Sequence, residues 1–266
     1  MSSIHPRRQV SDAGDVLSSP IQNFPYWNRI QNKEANPVSK VLSLKEAVAM
    51  IPDGATIMYG GFLGCGSAHN IIKALAASGK KNFTIIGNDC GMATGPNGEE
   101  YYGVAKLVHN YQVKEVIATH VGMTPDVATQ SMVEKTLDVN LIPQGTLAEM
   151  IRAGGAGLGG VLTPTGVGTI VEDSPYCLGK QTIDGKDYLL MKALKADVAI
   201  VNAHTVDTFG NMWYKGTTRN FNPLAASAAE LVICEADNLV EVGTLQPENV
   251  HTTGAFVDYI VDGGKL

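Results

Sequence analysis

From Ser43 onward, short apolar runs alternate with stretches whose apolar residues recur every three or four positions, the spacings of strands and helices. Ser43-Leu44-Lys45-Glu46 is a capping box, and Leu44, Ala47, Val48 and Ile51 give its helix one apolar face before Pro52-Asp53-Gly54 stops it. An apolar run over 55–59 predicts a strand. A glycine-rich turn follows, then a helix with Ile71, Ile72 and Leu75 on one side, closed by Gly79. The same rhythm predicts strands over 83–87, 113–121 and 138–142. Helices are expected over 101–110, from Thr124-Pro125-Asp126 to about 137, and over 146–153, the last running into glycines of 154–160. Beyond Thr163 the pattern turns strand-rich (188–191, 198–201, 212–214, 231–234), with a short helix expected near 225–230.

Strands alternating with helices imply an α/β fold, an open and mostly parallel sheet with helices on both faces, here with a strand-rich C-terminal part. In such a sheet the turns after the strands share one edge, where ligands bind. Gly60-Gly61, Asn88-Asp89, Val121-Gly122 and Gln144-Gly145 are therefore expected to line one pocket. The first amides of the helix after the glycine turn would face the ligand there with the positive end of the dipole.

Residues 1–40 differ from the rest, with four prolines, many polar residues and no helical or strand period. They are expected to be an N-terminal arm rather than a targeting segment, and 41–266 to be the catalytic-type domain. A net charge of −6 with no basic block argues against nucleic acid and anionic membrane as partners. No apolar run approaches the roughly 20 residues of a spanning helix. The four cysteines have neither CxxC nor metal-ligand spacing, which predicts reduced thiols and a cytoplasmic location. No spacing among the histidines suggests a metal.

The glycine turn approaches two phosphate-binding motifs without completing either. Gly61-x4-Gly66-Ser67 has the outline of a P-loop without its lysine, which argues against nucleotide hydrolysis. Gly64-Cys65-Gly66 opens a dinucleotide fingerprint whose third glycine is replaced by His69. Four glycines between 60 and 66 still exceed what one turn needs, so a functional loop is favoured over a merely tight one.

The run from Asp53-Gly54 through Tyr59-Gly60-Gly61-Phe62 to Gly66 resembles the signature of the A (α) subunit of family I coenzyme A transferases. The resemblance continues at Pro143-Gln-Gly-Thr-Leu-Ala-Glu149, Ile151-Arg-Ala-Gly-Gly-Ala-Gly157, Thr163-Pro-Thr-Gly166 and Arg219-Asn-Phe-Asn222, and covers about 42–262. It implies transfer of CoA between a short-chain acyl-CoA and a free acid through a glutamyl-CoA thioester. CoA would be a substrate, and no cofactor would be bound permanently. The resemblance puts the attacking glutamate in a β subunit, within Ser-Glu-Asn-Gly, a run this chain lacks. The chain would thus be incomplete alone and pair with that subunit, as α2β2.

Gln144 would be the side-chain amide facing the reacting carbonyl, with Gly60, Gly61, Phe62, Gly64, Gly66, Asn88, Gly91 and Gly145 around the acyl group. Ser67-Ala68-His69 replaces the Ile-Pro-Glu usual in the family, where the acyl group would lie. Cys65 and His69 are secondary candidates for chemistry or substrate contact, and His120 is read as structural. Two other functions stay open: a transferase-like subunit of a lyase or decarboxylase complex, and a non-enzymatic effector-binding module.

Overall fold

A computed structural model describes residues 39–265. The expected arm, apart from its last two residues, lies outside the described residues. The described residues open with β1 (Val41–Leu42), α1 (Leu44–Ala49), β2 (Thr56–Tyr59), α2 (His69–Ala77) and β3 (Phe83–Ile86). A hairpin of β4 (Met92–Thr94) and β5 (Glu100–Tyr102) comes next, then α3 (Ala105–His109), β6 (Val113–Ala118), α4 (Pro125–Ala128) and β7 (Asp138–Leu141). After α5 (Gln144–Gly155), β8 (Gly160–Thr163), β9 (Cys177–Ile183) and β10 (Lys186–Lys192) form a small antiparallel sheet in the order β8-β10-β9. The chain ends with β11 (Ala196–Asp207), β12 (Met212–Trp213), α6 (Asn222–Ser227), β13 (Ala229–Val240) and β14 (Tyr259–Asp262).

The main sheet runs β1-β14-β13-β11-β2-β3-β6-β7, parallel throughout, with β12 antiparallel against β11. From β2 the chain first builds outward through β3, β6 and β7, then returns to the other side of β2 for β11 and β13. The strand order therefore reverses between β2 and β11, the topological switch point of the sheet.

Because side chains alternate across a strand, each central strand feeds two cores. Ile57, Ile85, Val116 and Ile200 face one, which α1 to α4 cover with Val48, Ile71, Ile72, Leu75 and Leu107. Met58, Ile86, Ile117 and Val201 face the other, covered by Leu147, Met150 and Ile151 of α5, Ala225 of α6, and Leu189 and Met191 of the small sheet. Helices thus lie on both faces, as the alternation predicts. A parallel sheet covered on both sides explains strands that are buried at every position, such as Phe83-Thr84-Ile85-Ile86. No helix among the described residues is long and apolar enough to cross a membrane.

Three elements differ from expectation. The helix expected over 101–110 starts only at Ala105, because residues up to Tyr102 belong to β5 and Tyr101 and Gly103 both take positive φ (53° and 65°). The helix expected after Thr124 is one α turn that widens into a π-helix, Thr129–Glu134, and ends at Lys135 in the left-handed region. Strands β11 and β13 run twelve residues each, far past their apolar cores.

The glycines after α5 serve close packing. A Cβ on Gly154 would run into the carbonyl oxygen of Leu194, whose amide is bonded to Met150 of the same helix (2.9 Å). Gly154→Ala is therefore expected to destabilise the fold by about 1–3 kcal/mol despite the higher helix propensity of alanine, and a thermal melt checks this.

Candidate active site

At the switch point β2 ends in the glycine turn. The Gly60 amide extends the pairing to Ile200 of β11 (3.0 Å), and Phe62 and Cys65 exchange backbone hydrogen bonds (3.0 and 2.9 Å). Two asparagines clamp this turn, Asn220 just before α6 and Asn222 at its first position. Asn220 accepts from the Gly61 amide (3.0 Å) and donates to the Cys65 carbonyl (2.9 Å). Asn222 has no exposed surface; it accepts from the Asn202 amide of β11 (2.9 Å) and donates to the carbonyls of Gly66 (2.9 Å) and Thr218 (2.8 Å). A Cβ on Gly60 would collide with the Asn222 side chain, and one on Gly66, at φ +73°, with the Thr218 backbone. Protein packing thus accounts for these glycines, and Asn222 fills the gap between the end of β2 and the middle of β11.

Helix α2 also differs from expectation. Its N-cap is Ala68, without a side-chain cap, while the Ser67 hydroxyl turns back to the Gly60 carbonyl (3.3 Å). The helix's first amides do not face an open ligand site. Asn70 (3.2 Å) and Ile71 (2.8 Å) donate instead to the carboxylate of Glu235 from β13, which also accepts from the Asn70 side chain (3.0 Å). Burial pushes the Glu235 carboxyl above its ordinary range, against the pull of those donors. The helix's positive end is satisfied by the chain's own carboxylate.

The open part of the edge lies on the other side, where β3, β6 and β7 end. The carbonyl of Asn88, just after β3, accepts from both the amide (3.0 Å) and the hydroxyl (2.8 Å) of Thr119, just after β6. Gln144, placed by sequence in a turn, is the first residue of α5, with Pro143 as N-cap. Its Nε2 donates to Asn88 Oδ1 at 2.5 Å. The Asn88 amide nitrogen donates in turn to Asp89 Oδ2 (2.9 Å), which also accepts the Leu63 amide of the glycine turn (2.7 Å). Asp89 Oδ1 accepts the Gly91 amide (2.7 Å). One hydrogen-bonded chain therefore joins Gln144, Asn88, Gly91 and the glycine turn. The sequence places Asp89 only in a turn, and its neighbours Asn88 and Gly91 are the signal that it lies at the edge.

The remaining candidates fall around this chain. Phe62 is exposed on the turn's outer side. Gly64 packs against the Tyr102 ring, and Gly61, at φ +123°, against the Ser67 hydroxyl. Gly145 is exposed on α5 and lines a cavity of about 200 Å³ with Thr146, Glu149 and residues of β8. Cys65 is exposed, with Sγ 3.6 Å from the Thr217 hydroxyl rather than against a base. His120 is half-buried at the same edge, 3.5 Å from the Thr119 hydroxyl. Among the described residues no group of His, Cys, Asp and Glu is placed to hold a metal ion.

His69 braces the turn. Its Nε2 meets the Gly64 carbonyl at 2.9 Å, so that nitrogen carries the proton, and its ring lies 4.3 Å from that of Tyr102. Burial lowers its pKa, outweighing the carbonyl and the more distant carboxylates of Glu99 and Asp237. The folded chain thus holds the neutral ring more firmly than the unfolded chain does. Stability from this site is complete above the unfolded value of about 6.5 and is lost as pH falls below it. Urea titrations at pH 7 and pH 5 should show wild type losing more stability in acid than His69→Gln.

Chemically, this edge offers a neutral amide fixed at one N–H, with small residues around it and no nucleophile–base pair. That arrangement can stabilise charge developing on a substrate oxygen and lacks an obvious attacking group. The coenzyme A transferase family pattern matches residues 41–263. The chain is 46% identical over 223 residues to the acetate CoA-transferase subunit alpha of Escherichia coli K12, covering 84% of this chain and 96% of the relative. It is equally similar (46%, covering 84% and 97%) to the acetoacetyl-CoA:acetate/butyrate CoA transferase alpha subunit of Clostridium acetobutylicum. Among solved structures, an acyl-CoA transferase of E. coli O157:H7, as a thioester complex with CoA, superposes with a TM-score of 0.71 at 26% identity. That match covers 84% of this chain and 47% of the larger one, so this chain spans about half the solved enzyme. Pattern, relatives and fold agree, and the chain belongs to the coenzyme A transferase family, on the side of its alpha subunits.

Proposed function

We propose that this chain is the α subunit of an acyl-CoA:carboxylate CoA-transferase and that Gln144 donates a hydrogen bond to the reacting carbonyl oxygen. The observation that carries the reading is the Gln144 amide held by Asn88 across the ends of β3, β6 and β7. The attacking group is a glutamate of a partner β subunit. Its carboxylate adds to the thioester carbonyl, and collapse of the tetrahedral oxyanion expels CoA thiolate and leaves an acyl-glutamyl anhydride. The thiolate then attacks the glutamyl carbonyl, releasing the free acid and leaving a glutamyl-CoA thioester. An acceptor acid reverses the two steps, so CoA leaves on a new acyl group. Each addition places negative charge on one oxygen, which a neutral amide can meet without titrating.

Acetate, butyrate and acetoacetate are the acids to expect, since the relatives' names carry them. CoA is a substrate, with no cofactor bound permanently. The assembly is α2β2, and the unpaired state of all four cysteines fits a reducing cytoplasm. Expression with and without the β partner tests the division of labour. The lone chain should transfer no CoA from acetoacetyl-CoA to acetate, and the co-expressed pair should. Full activity of the lone chain would overturn it.

A further inference from the structure

We infer that Asp89 is a positioning residue for the reaction: it sets the polarity of the Asn88–Gln144 amide chain, so that Gln144 presents an N–H rather than its carbonyl where β3, β6 and β7 end. The inference rests on the donor role proposed for Gln144 and adds how that role is enforced.

A side-chain amide has two ends of nearly equal shape. Turning it by half a rotation exchanges a double donor for an acceptor at almost no steric cost. An amide that must donate therefore needs a neighbour that can only accept. Asp89 is that neighbour. Each of its oxygens is approached by an N–H: Gly91 on Oδ1, Leu63 and Asn88 on Oδ2. Facing such a group, Asn88 must turn its NH2 toward Asp89 and its Oδ1 toward Gln144. Gln144 must then answer with Nε2, which keeps a second N–H for a substrate oxygen.

Burial makes the constraint strict. Asn88 is 0% and Asp89 2% exposed, so water cannot replace either partner. The Asn88 backbone is pinned by two bonds from Thr119, which leaves amide rotation as the freedom that remains. Asp89 itself is held by two backbone amides, so the reference does not depend on a mobile side chain.

The competing role is a plain staple between the glycine turn and the end of β3. A double-mutant cycle in the co-expressed complex separates the two, with kcat and KM measured for acetoacetyl-CoA and acetate. Asp89→Asn, nearly isosteric, replaces one of the two acceptor oxygens by an NH2, and with that NH2 turned toward Asn88 the chain can reverse. It should lower kcat by about tenfold or more with KM changed less than about threefold. In a Gln144→Ala background the same change should lower kcat by less than about twofold further, since the group it orients is gone. Equal losses in both backgrounds, or an unchanged kcat in the D89N single variant, would overturn the inference while leaving the donor role of Gln144 standing. An unchanged kcat in Q144A alone would instead remove the donor role, and this inference with it. Should D89N not assemble, Asn88→Ala cuts the link while keeping Asp89 on Leu63 and Gly91. It carries the same prediction, a kcat loss that vanishes without Gln144.

Discussion

Gln144→Ala in the assembled complex is expected to lower kcat by roughly a hundredfold, the usual cost of one oxyanion donor. KM for acyl-CoA should change little, because the bond is worth most when the carbonyl oxygen carries charge. The side chain is exposed and bonded only at its tip, to Asn88, so truncation removes no core contact and leaves assembly intact. Gln144→Glu is the sharper variant. It keeps the length but places an acceptor, and near neutral pH a negative charge, opposite both Asn88 Oδ1 and the developing oxyanion. Its loss should exceed that of alanine and shrink toward acid pH as the carboxyl protonates. Steady-state kinetics of the three proteins across pH 5 to 8 check both statements. An unchanged kcat in Q144A removes Gln144 from catalysis.

The second large effect is on stability. Asn222→Ala should destabilise the chain by about 3 kcal/mol, because the Asn202 amide and two carbonyls lose their partner in a place water does not reach. Asn222→Asp changes fewer atoms and should cost more near neutral pH. It keeps an acceptor for the Asn202 amide but puts a buried charge against the carbonyl oxygens of Gly66 and Thr218. The folded-state pKa of that new carboxyl would lie above its unfolded value of about 3.9, so the unfolded chain releases the proton more readily. The deficit of N222D should therefore grow as pH rises above about 4 and shrink in acid, where a protonated carboxyl regains one donor. The deficit of N222A should not depend on pH. Denaturant titrations at pH 5 and pH 8 distinguish the two, and an N222D no less stable than wild type at pH 8 would show that Asn222 is not the clamp described.

The alternation of strands and helices was legible because a parallel sheet covered on both faces writes long apolar runs, and Ser43 with Glu46 forms the capping box its spacing announces. What stayed hidden is polar. Only 198–201 and 231–234 of β11 and β13 looked like strand, since the rest of each carries Asn202, His204, Asp207, Glu235 and Asp237. Those residues belong to a sheet because distant partners satisfy them, such as Asn70 for Glu235, and periodicity cannot show a partner 165 positions away. Likewise Ser67 and Thr124 are of the residue type that caps helices, and each stands just ahead of one. The Ser67 hydroxyl goes to Gly60, and that of Thr124 donates to the carbonyls of Cys90 and Gly91. At the site, Gln144 and Asn88 were readable from the turns they occupy. The roles of Asp89 and Asn222 emerge only when the chain of bonds between turns is followed. The glycine pattern points to a close approach but not to what approaches: Gly60, Gly61, Gly64 and Gly66 all lie tight against the chain's own atoms.

The central claim is that this chain frames the carbonyl while another polypeptide brings the carboxylate that attacks it. Incubating the purified complex with acetoacetyl-CoA in the absence of an acceptor acid, then digesting it and locating the CoA-bearing peptide by mass spectrometry, tests this directly. The adduct should sit on one glutamate of the β subunit, with none on this chain. A CoA thioester on any glutamate of this chain would contradict the account.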